Sequence, residues 1–477
     1  MQEKYFIGID VGTTVIKAVA FNGQGQALHR SMAAIETGQP QLGYREQQPS
    51  HIWEKFVQVL TQLCTHLKHA PEAVGLSAPM HSVAAFNTHA HPLTPFLIWS
   101  DERSAPTAAA LHQKGLAKAI YKATGTPVHP MSPLCKWLWW QQHEPYLFQQ
   151  AVYVAGIKEY IWYRLFGEWV VDTSTASATG LLNIHRLCWD KTILQQFNLP
   201  ETPLPALQPM HYYRQLSGNT PLPVLLHNVP FVLGGSDGVL AAWAGLKISG
   251  MPASVSVGTS AALRRVVNGV QLSAEQQTFC YHMHERLYVQ GGPSNNGLIL
   301  LQWLKDEVLH TAASYERLVA AAGEIAPGSD GIICLPYLQG ERAPHWYKKV
   351  SVQWVNLQKH HHTGHQVRAL LEGMAYNLKW IGETMGLQPV AHLFTTGGAA
   401  QHPVLLQLLA NVLNCHLHVT GGGDGVALGA AGIAAESAVM PINPQFLLHT
   451  YMPNEEQALF YQSRFEVFKE KFHSLYS

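Results

Sequence analysis

An apolar run starts at Tyr5 and stops at an acid, Asp10. The turn Val11-Gly12-Thr13-Thr14 follows, and a second apolar run covers Val15 to Phe21. Another turn, Asn22-Gly23-Gln24-Gly25, leads into a third segment from Ala27 to Ala34. Short runs separated by glycine turns predict a meander of antiparallel strands, not a strand–loop–helix unit. The period then changes. Between Pro49 and Lys68, residues Ile52, Phe56, Val59, Leu60 and Leu63 share one helical face, which predicts an amphipathic helix. Val74 to Ser77 reads as a short strand. The stretch from Leu97 to Asp190 is rich in tryptophan and mixed helical, and Leu199 to Pro230 is proline-rich and irregular. Phe231 to Gly235 predicts another strand, running into the turn Gly234-Gly235-Ser236-Asp237-Gly238.

After Gly250 the opening pattern restarts. Ser254 to Val257 predicts a strand, Gly258-Thr259-Ser260 a turn, and Ala261 to Val267 the partner strand. A strand–Gly-Thr–strand unit therefore occurs twice, which suggests two related halves. Their boundary is expected near 243–252, giving domains 1–245 and 246–477. Further on, Leu405, Leu408, Leu409 and Val412 place a helix over Val404–Leu413.

Composition narrows the class. The chain has 477 residues, and at roughly 150 residues per domain that suits about two to four domains. Lys plus Arg and Asp plus Glu both number 31, so the formal charge is zero. Nucleic-acid binders and polybasic membrane-surface proteins need a cationic surplus, so both are disfavoured. The 10% aromatic content excludes a long disordered chain. The six cysteines contain no C-x-x-C pair, which reads as reduced thiols in a cytosol. The opening MQEKYFIGID lacks the apolar run of a signal peptide, and no stretch reaches the ~18–20 apolar residues of a membrane helix. The expectation is a cytoplasmic enzyme.

The chemistry lies in the glycine turns. Backbone amides and hydroxyls must come close to a phosphate, and glycine permits that approach. Asp10-Val11-Gly12-Thr13-Thr14 offers such a turn with a carboxylate that could hold Mg²⁺ through water. Gly258-Thr259-Ser260 offers a second. Either alone reads equally as a plain hairpin turn; together they suggest two jaws on one polyphosphate. Gly397-Gly398-Ala399-Ala400 sits between a predicted strand (His392–Thr396) and the Val404 helix, as a ring- or phosphate-approach site or a tight turn. No G-x-x-x-x-G-K-[ST] is present. The Gly421-Gly422-Gly423-Asp424-Gly425 run fails the dinucleotide pattern because Leu428 holds its sixth position.

These segments resemble the FGGY carbohydrate kinases of the actin-like ATPase superfamily over nearly the whole chain. FIGIDVGTT (Phe6–Thr14) resembles the first phosphate motif, SVSVGTSAAL (Ser254–Leu263) the second, and TTGGAAQHP (Thr395–Pro403) the adenosine motif. MSPLCKWLWWQQH (Met131–His143) follows a family signature, and QGERAPHW (Gln339–Trp346) is another family segment. PMHSV (Pro79–Val83), WSDERS (Trp99–Ser104), TGTPVHPMSP (Thr124–Pro133), GIKEYI (Gly156–Ile161) and DTSTASATGLLNI (Asp172–Ile184) resemble the branch that phosphorylates gluconate. The xylulose and glycerol branches differ in these strings. Two positions depart from the family: Leu298 stands where many relatives have a second Gly, and Asn356 where relatives usually have Gly.

The resemblance implies an α/β fold of two actin-like (ribonuclease H-like) domains, with mixed sheets facing a central cleft. It implies ATP and Mg²⁺ as cofactors and a small-molecule sugar acid as substrate, with no nucleic acid or membrane partner; a homodimer is the assembly it admits. It implies Asp237 as general base and Asp10 as the residue orienting Mg²⁺. Thr13 and Thr14 would meet the γ-phosphate beside Gly12; Gly258, Thr259 and Ser260 would meet the β- and γ-phosphates. Gly397, Gly398 and Ala399 would line the adenosine pocket. Met80 and His81 resemble the family's sugar-binding pair. The residues alone leave Asp237 readable as an Asp in a glycine turn, and His81 as a structural histidine. An anionic substrate calls for a cation, and Arg103 or Lys158 could supply it. Asp101 beside Arg103 is either part of that site or a structural ion pair. Lys136 reads as ligand or buried structural lysine; Trp137, Trp139 and Trp140 read as sugar-stacking or core. The pairs His89/His91 and His282/His284, and the cluster His360–His362 with His365, lack Cys or carboxylate partners at metal spacing and read as solvated faces.

Overall fold

The computed structural model describes residues 3–218, 220–346, 350–420 and 424–476. The opening meander forms as the pattern requires: β1 (Tyr5–Val11), β2 (Val15–Asn22) and β3 (Ala27–Ala34) pair antiparallel in sequence order. Helix α1 (Pro49–Cys64) begins with proline in its first turn and buries the predicted face. It ends at Cys64, short of the predicted Lys68, because Thr65, His66 and Lys68 are exposed and leave no apolar stripe to bury. Strand β4 (Val74–Ala78) then runs parallel to β1.

The tryptophan-rich middle is a helical layer that includes α2 (Pro133–His143) and α3 (Ile157–Phe166). The proline-rich connection is irregular as expected, apart from short strands such as β5 (Tyr213–Gln215). β6 (Pro230–Ser236) completes a six-stranded sheet in the order β5-β6-β4-β1-β2-β3. Asp237 is not in a turn. It is the first residue of helix α4 (Asp237–Ser249), since Ser236 is an extended N-cap and the apolar positions from Val239 onward have helical spacing. The expected boundary region, 243–252, takes in the end of this helix and the short connection to the next strand.

The second half repeats the plan. β7 (Ala253–Val257), β8 (Ala261–Asn268), β9 (Phe279–His284) and β10 (Leu287–Ser294) form its antiparallel part. The long helix α5 (Thr363–Thr384) precedes β11 (His392–Thr396), α6 (Pro403–Leu413), β12 (His416–Val419) and α7 (Gly425–Ser437). Strand β13 (His449–Tyr451) and helix α8 (Glu455–Tyr476) close the chain. The sheet order is β9-β10-β8-β7-β11-β12-β13. Three antiparallel strands, β10-β8-β7, adjoin two parallel ones, β11 and β12, just as β3-β2-β1 adjoin β4 and β6. The repeat suggested by two glycine-threonine turns thus extends to whole sheets. Asn356, at a family glycine position, has φ +61°, a left-handed conformation that Asn tolerates better than most side chains.

Helices α4 and α7 join the halves. α7, from the second half, packs on β1 and β4 of the first sheet, and α4 packs on α7 and reaches β11 through Gly245. The contact is backbone to backbone. A Cβ on Gly8 would lie 1.8 Å from the Ala427 carbonyl oxygen, and one on Gly75 would lie 1.9 Å from that of Ala430. Around it Phe6, Val19, Val232, Leu240, Trp243, Ala431 and Ile433 form one buried cluster. No helix among the described residues is long and apolar enough to cross a membrane.

Candidate active site

Two carboxylates converge where β1 and β6 end. Asp10 is the penultimate residue of β1, and Asp237 heads α4 directly after β6. The Asp237 carboxylate accepts the Gly238 amide at 2.7 Å and is also hydrogen-bonded by the Met80 amide. Neither carboxylate has a cation at ion-pair distance among the described residues; Lys17, the nearest element partner of Asp10, is bonded instead to Asp424 at 2.9 Å. Burial, and next the facing charge of Asp237, push the Asp10 carboxyl up to about 7. Burial raises Asp237 too, opposed by Arg264 and the two amides. Asp10, an oxygen donor without an ion-pair partner among the described residues, suits a hard divalent ion such as Mg²⁺.

The glycine turns are shaped by their neighbours. Gly12 donates to Val15 O at 3.0 Å, and a Cβ there would stand 2.8 Å from that oxygen. In the second turn, Gly258 donates to Ser260 O at 2.9 Å, and Leu298 donates to Gly258 O at 2.6 Å. Gly397 takes φ +88°, with its Cβ position 2.4 Å from Val257 O. Gly397 therefore packs against the backbone of Val257, the residue that leads into the Gly258-Thr259-Ser260 turn, which brings the two segments side by side. Leu298 adds its side chain, 3.0 Å from the Cβ position of Gly398. A side chain at Gly12 or Gly397 would strike the backbone of Val15 or Val257, so glycine is what lets each turn take its shape. Of the glycine run at 421–425, Gly421, Gly422 and Gly423 lie outside the described residues, while Asp424 pairs with Lys17 and Arg30.

Met80 and His81 follow β4 and reach the same place. His81 has φ +68°, and its Nδ1–H donates to Ala178 O at 2.8 Å, which leaves Nε2 as an acceptor for a hydroxyl. Burial, then Lys136 and Arg342, lower its pKa to about 3, so the ring stays neutral.

The cations chosen from sequence are already engaged. Arg103 bonds Asp101 through Nε and Nη2, at 2.9 and 2.8 Å, bonds Glu46 at 2.6 Å, and lies 3.9 Å over the Tyr44 ring. Asp101 also accepts the Arg45 amide at 2.7 Å. The structural ion pair is thus the reading that the geometry bears for Asp101 and Arg103. Lys158 pairs with buried Asp172, which also caps Ser174 and Thr175. Lys136 donates to the carbonyls of His81, Leu97 and Ile98 and is a buried strut. Trp137, Trp139 and Trp140 are core residues.

The histidines divide. His282 bonds Thr173 and Glu285 O. At the 360–362 cluster the fold supplies the carboxylate that sequence spacing lacks: Asp330 lies 3.0 Å from His360 Nε2 and 3.5 Å from His361 Nε2. However, His361 Nδ1 accepts the Gln358 amide at 2.9 Å. Its Nε2 therefore carries the proton and faces Asp330 as a donor, not as a metal ligand. His362 and His365 cap the start of α5.

Glu159 lies beside this machinery, buried in the first turn of α3, with Oε2 unpartnered. Burial raises its pKa from 4.5 to about 7. The folded state holds its proton more tightly than the unfolded state. That contribution is complete below about pH 4.5 and is lost as pH rises through 7. Glu159→Gln is expected to match the wild type at and below about pH 4.5 and to be more stable by about 3 kcal/mol at pH 8. Denaturant unfolding at both pH values tests this; an advantage that does not grow with pH contradicts it.

Sequence reading missed Arg264, Arg342, Tyr281 and Trp99. Arg264 and Arg265 are adjacent charges within an otherwise apolar strand, and successive side chains on a strand point to opposite faces. That signal was readable: one of the two had to face the interior.

Two sheets that share one six-strand order, paired glycine-threonine turns and two facing carboxylates define a two-domain phosphotransferase of actin-like fold. The family models for the N-terminal and C-terminal domains of FGGY carbohydrate kinases match residues 5–244 and 253–438. The chain belongs to the FGGY family of carbohydrate kinases, whose phosphate donor is ATP. It is 33% identical to a gluconokinase from Bacillus licheniformis, over 97% of this chain and 94% of that one. It is 28% identical to a xylulose kinase from Escherichia coli (strain K12), over 98% and 99%. The crystal structure of gluconate kinase from Lactobacillus acidophilus superposes with a TM-score of 0.93 at 29% identity, covering 99% of this chain and 98% of that one.

Proposed function

We propose that this kinase transfers the γ-phosphoryl group of ATP to a sugar acid, D-gluconate, at its 6-hydroxyl. The observation that carries the phosphotransfer reading is the placement of Asp237. It heads a helix, is tied to the Met80 amide, faces Asp10 and has no ion-pair partner among the described residues. A carboxylate so placed can take the proton of an attacking hydroxyl. Met80 and His81 would orient the sugar. Asp10 would hold Mg²⁺, which supplies charge neutralisation on the phosphates when bound. Gly12, Thr13 and Thr14 would meet the γ-phosphate; Gly258, Thr259 and Ser260 would meet the β- and γ-phosphates; Gly397, Gly398 and Ala399 would line the adenosine pocket. In this assignment residues 1–245 carry the sugar and 246–477 the nucleotide. Positioning and charge neutralisation supply most of phosphoryl-transfer catalysis, and exclusion of water protects ATP from hydrolysis. Six cysteines that form no disulfide support a cytoplasmic setting.

Gluconate is favoured by the similarity to the Bacillus licheniformis gluconokinase. A second reading, phosphorylation of xylulose or another neutral polyol, is favoured by the similarity to the Escherichia coli xylulose kinase. A coupled ADP assay over gluconate, xylulose and glycerol separates them. The expected result is turnover of gluconate at least tenfold more efficient than of either neutral substrate, a difference of about 1.4 kcal/mol in transition-state binding. Turnover of xylulose alone would replace gluconate with the second reading, and ATP hydrolysis indifferent to every sugar would remove both.

A further inference from the structure

The residue after the proposed base is a glycine inside the first turn of a helix, without a positive φ to require it. Glycine there costs about 0.5–1 kcal/mol relative to alanine, so its place must serve packing. A Cβ on Gly238 would lie 2.8 Å from Met80 Cε, 3.3 Å from Arg264 Nε and 3.5 Å from Arg264 Nη2. The missing side chain makes room for a guanidinium against the helix that carries Asp237.

Arg264 comes from β8, in the second half. Its Nη1 donates to Ser256 Oγ at 3.0 Å, and its Nε is buried without a partner. Arg342 sits close by: it is 8% exposed, its guanidinium lies 4.8 Å from the Trp99 ring centre, and its Nη2 donates to Ser294 O at 3.3 Å. Its Nε is also unpartnered. The adjacent Glu341 carboxylate is occupied by Ser294, Asn295, Asn296 and Asn377. Neither arginine has a carboxylate at ion-pair distance among the described residues. By contrast Arg103 and Lys158 both do. A desolvated guanidinium with free donors is matched best by a carboxylate, which can accept two parallel bonds.

We propose that Arg264, flanked by Arg342, is the receptor for the substrate carboxylate, and that Gly238 admits it. The site thereby selects a polyhydroxy acid over a neutral ketose or polyol. A neutral substrate would leave the guanidinium donors unpaired, and such unpaired groups are the strongest source of discrimination. This rests on the sugar-acid reading above. It also moves recognition of the carboxylate to the second half, opposite Met80 and His81, so one substrate molecule would bridge both halves.

The test compares gluconate with glucitol, the same carbon chain bearing a hydroxymethyl group in place of the carboxylate. In Arg264→Met, the KM for gluconate and its calorimetric Kd are expected to rise about 30- to 100-fold; kcat, read on the plateau of its pH profile because losing Arg264 also lifts the Asp237 pKa, should change less than about fivefold. The gluconate-to-glucitol ratio of kcat/KM should fall by the same factor, and Arg264→Lys should recover part of it. Gly238→Ala, which crowds the guanidinium and keeps the charge, should move the ratio in the same direction and stands in should Arg264→Met not fold. An equal loss of kcat on both substrates at constant KM would overturn the proposal, since Arg264 would then serve the phosphoryl group. So would an unchanged ratio in an enzyme that still phosphorylates gluconate. A wild-type enzyme inactive on every sugar acid would instead overturn the sugar-acid reading, and this proposal with it.

Discussion

Asp237→Asn is expected to lower kcat on the sugar substrate by two to four orders of magnitude and to leave ATP binding unchanged. The amide has nearly the shape of the carboxylate, and its remaining oxygen can still accept the Gly238 amide that helps fix the side chain. What it loses is the capacity to take a proton, and general-base catalysis supplies about 10²–10⁴ in rate. Burial raises the Asp237 pKa, while Arg264 and the two amides hold it down. Burial leaves this side chain poorly solvated, which strengthens it as a proton acceptor for an alcohol. The turns assigned to ATP lie on other elements, around Gly12, Gly258 and Gly397. Coupled ADP release measures kcat and titration calorimetry measures the nucleotide; near-normal kcat would eliminate Asp237 as the base.

The second large effect is on folding. Gly8→Ala is expected to destabilise the protein by more than about 4 kcal/mol, enough to remove most folded material from a soluble preparation. The new methyl group would stand 1.8 Å from the Ala427 carbonyl oxygen. No rotamer relieves a clash between two backbones. Helix α7 must lift off the sheet, and the apolar cluster of Phe6, Leu240, Trp243, Ala431 and Ile433 opens with it. Gly23→Ala is the control, because nothing lies within 4 Å of that Cβ position; its melting temperature should stay within a few degrees of the wild type. Equal melting temperatures for the two variants would show that α7 does not pack as tightly as described.

The two meanders were legible because each strand alternates with a glycine turn, a local signal read within ten residues. Asp10, Gly12 and Gly258 were legible for the same reason. The choice of cation was not. Asp101, two residues from Arg103, left that cation readable either way; what decided against Arg103 and Lys158 was the arrival of Glu46 and Asp172, which lie on other segments. Arg264 showed the reverse: a charge in an apolar strand whose meaning depends on Gly238, a neighbour only across the two halves. Asp237 was expected in a turn because Gly235 and Gly238 flank it; the apolar spacing from Val239 onward settles the helix. Lys136, Trp137 and Trp140 were ambiguous because a buried residue and a ligand-facing one carry the same sequence pattern.

The exchange of helices between the halves also orders the making of the protein. β1 and β4 leave the ribosome early, but α7, the helix that covers them, is among the last elements synthesised. Helix α4 covers part of that face from its own half, but Gly8 and Gly75 meet their cover only in Ala427 and Ala430 of α7. The nascent first half therefore waits with the rest of that face open for most of translation, a period in which apolar surface is exposed to other chains. Closing it requires contacts across nearly the whole sequence, which makes this step slow relative to the local meanders. The same contact that fastens the two halves sets the moment at which the chain becomes one cooperative unit.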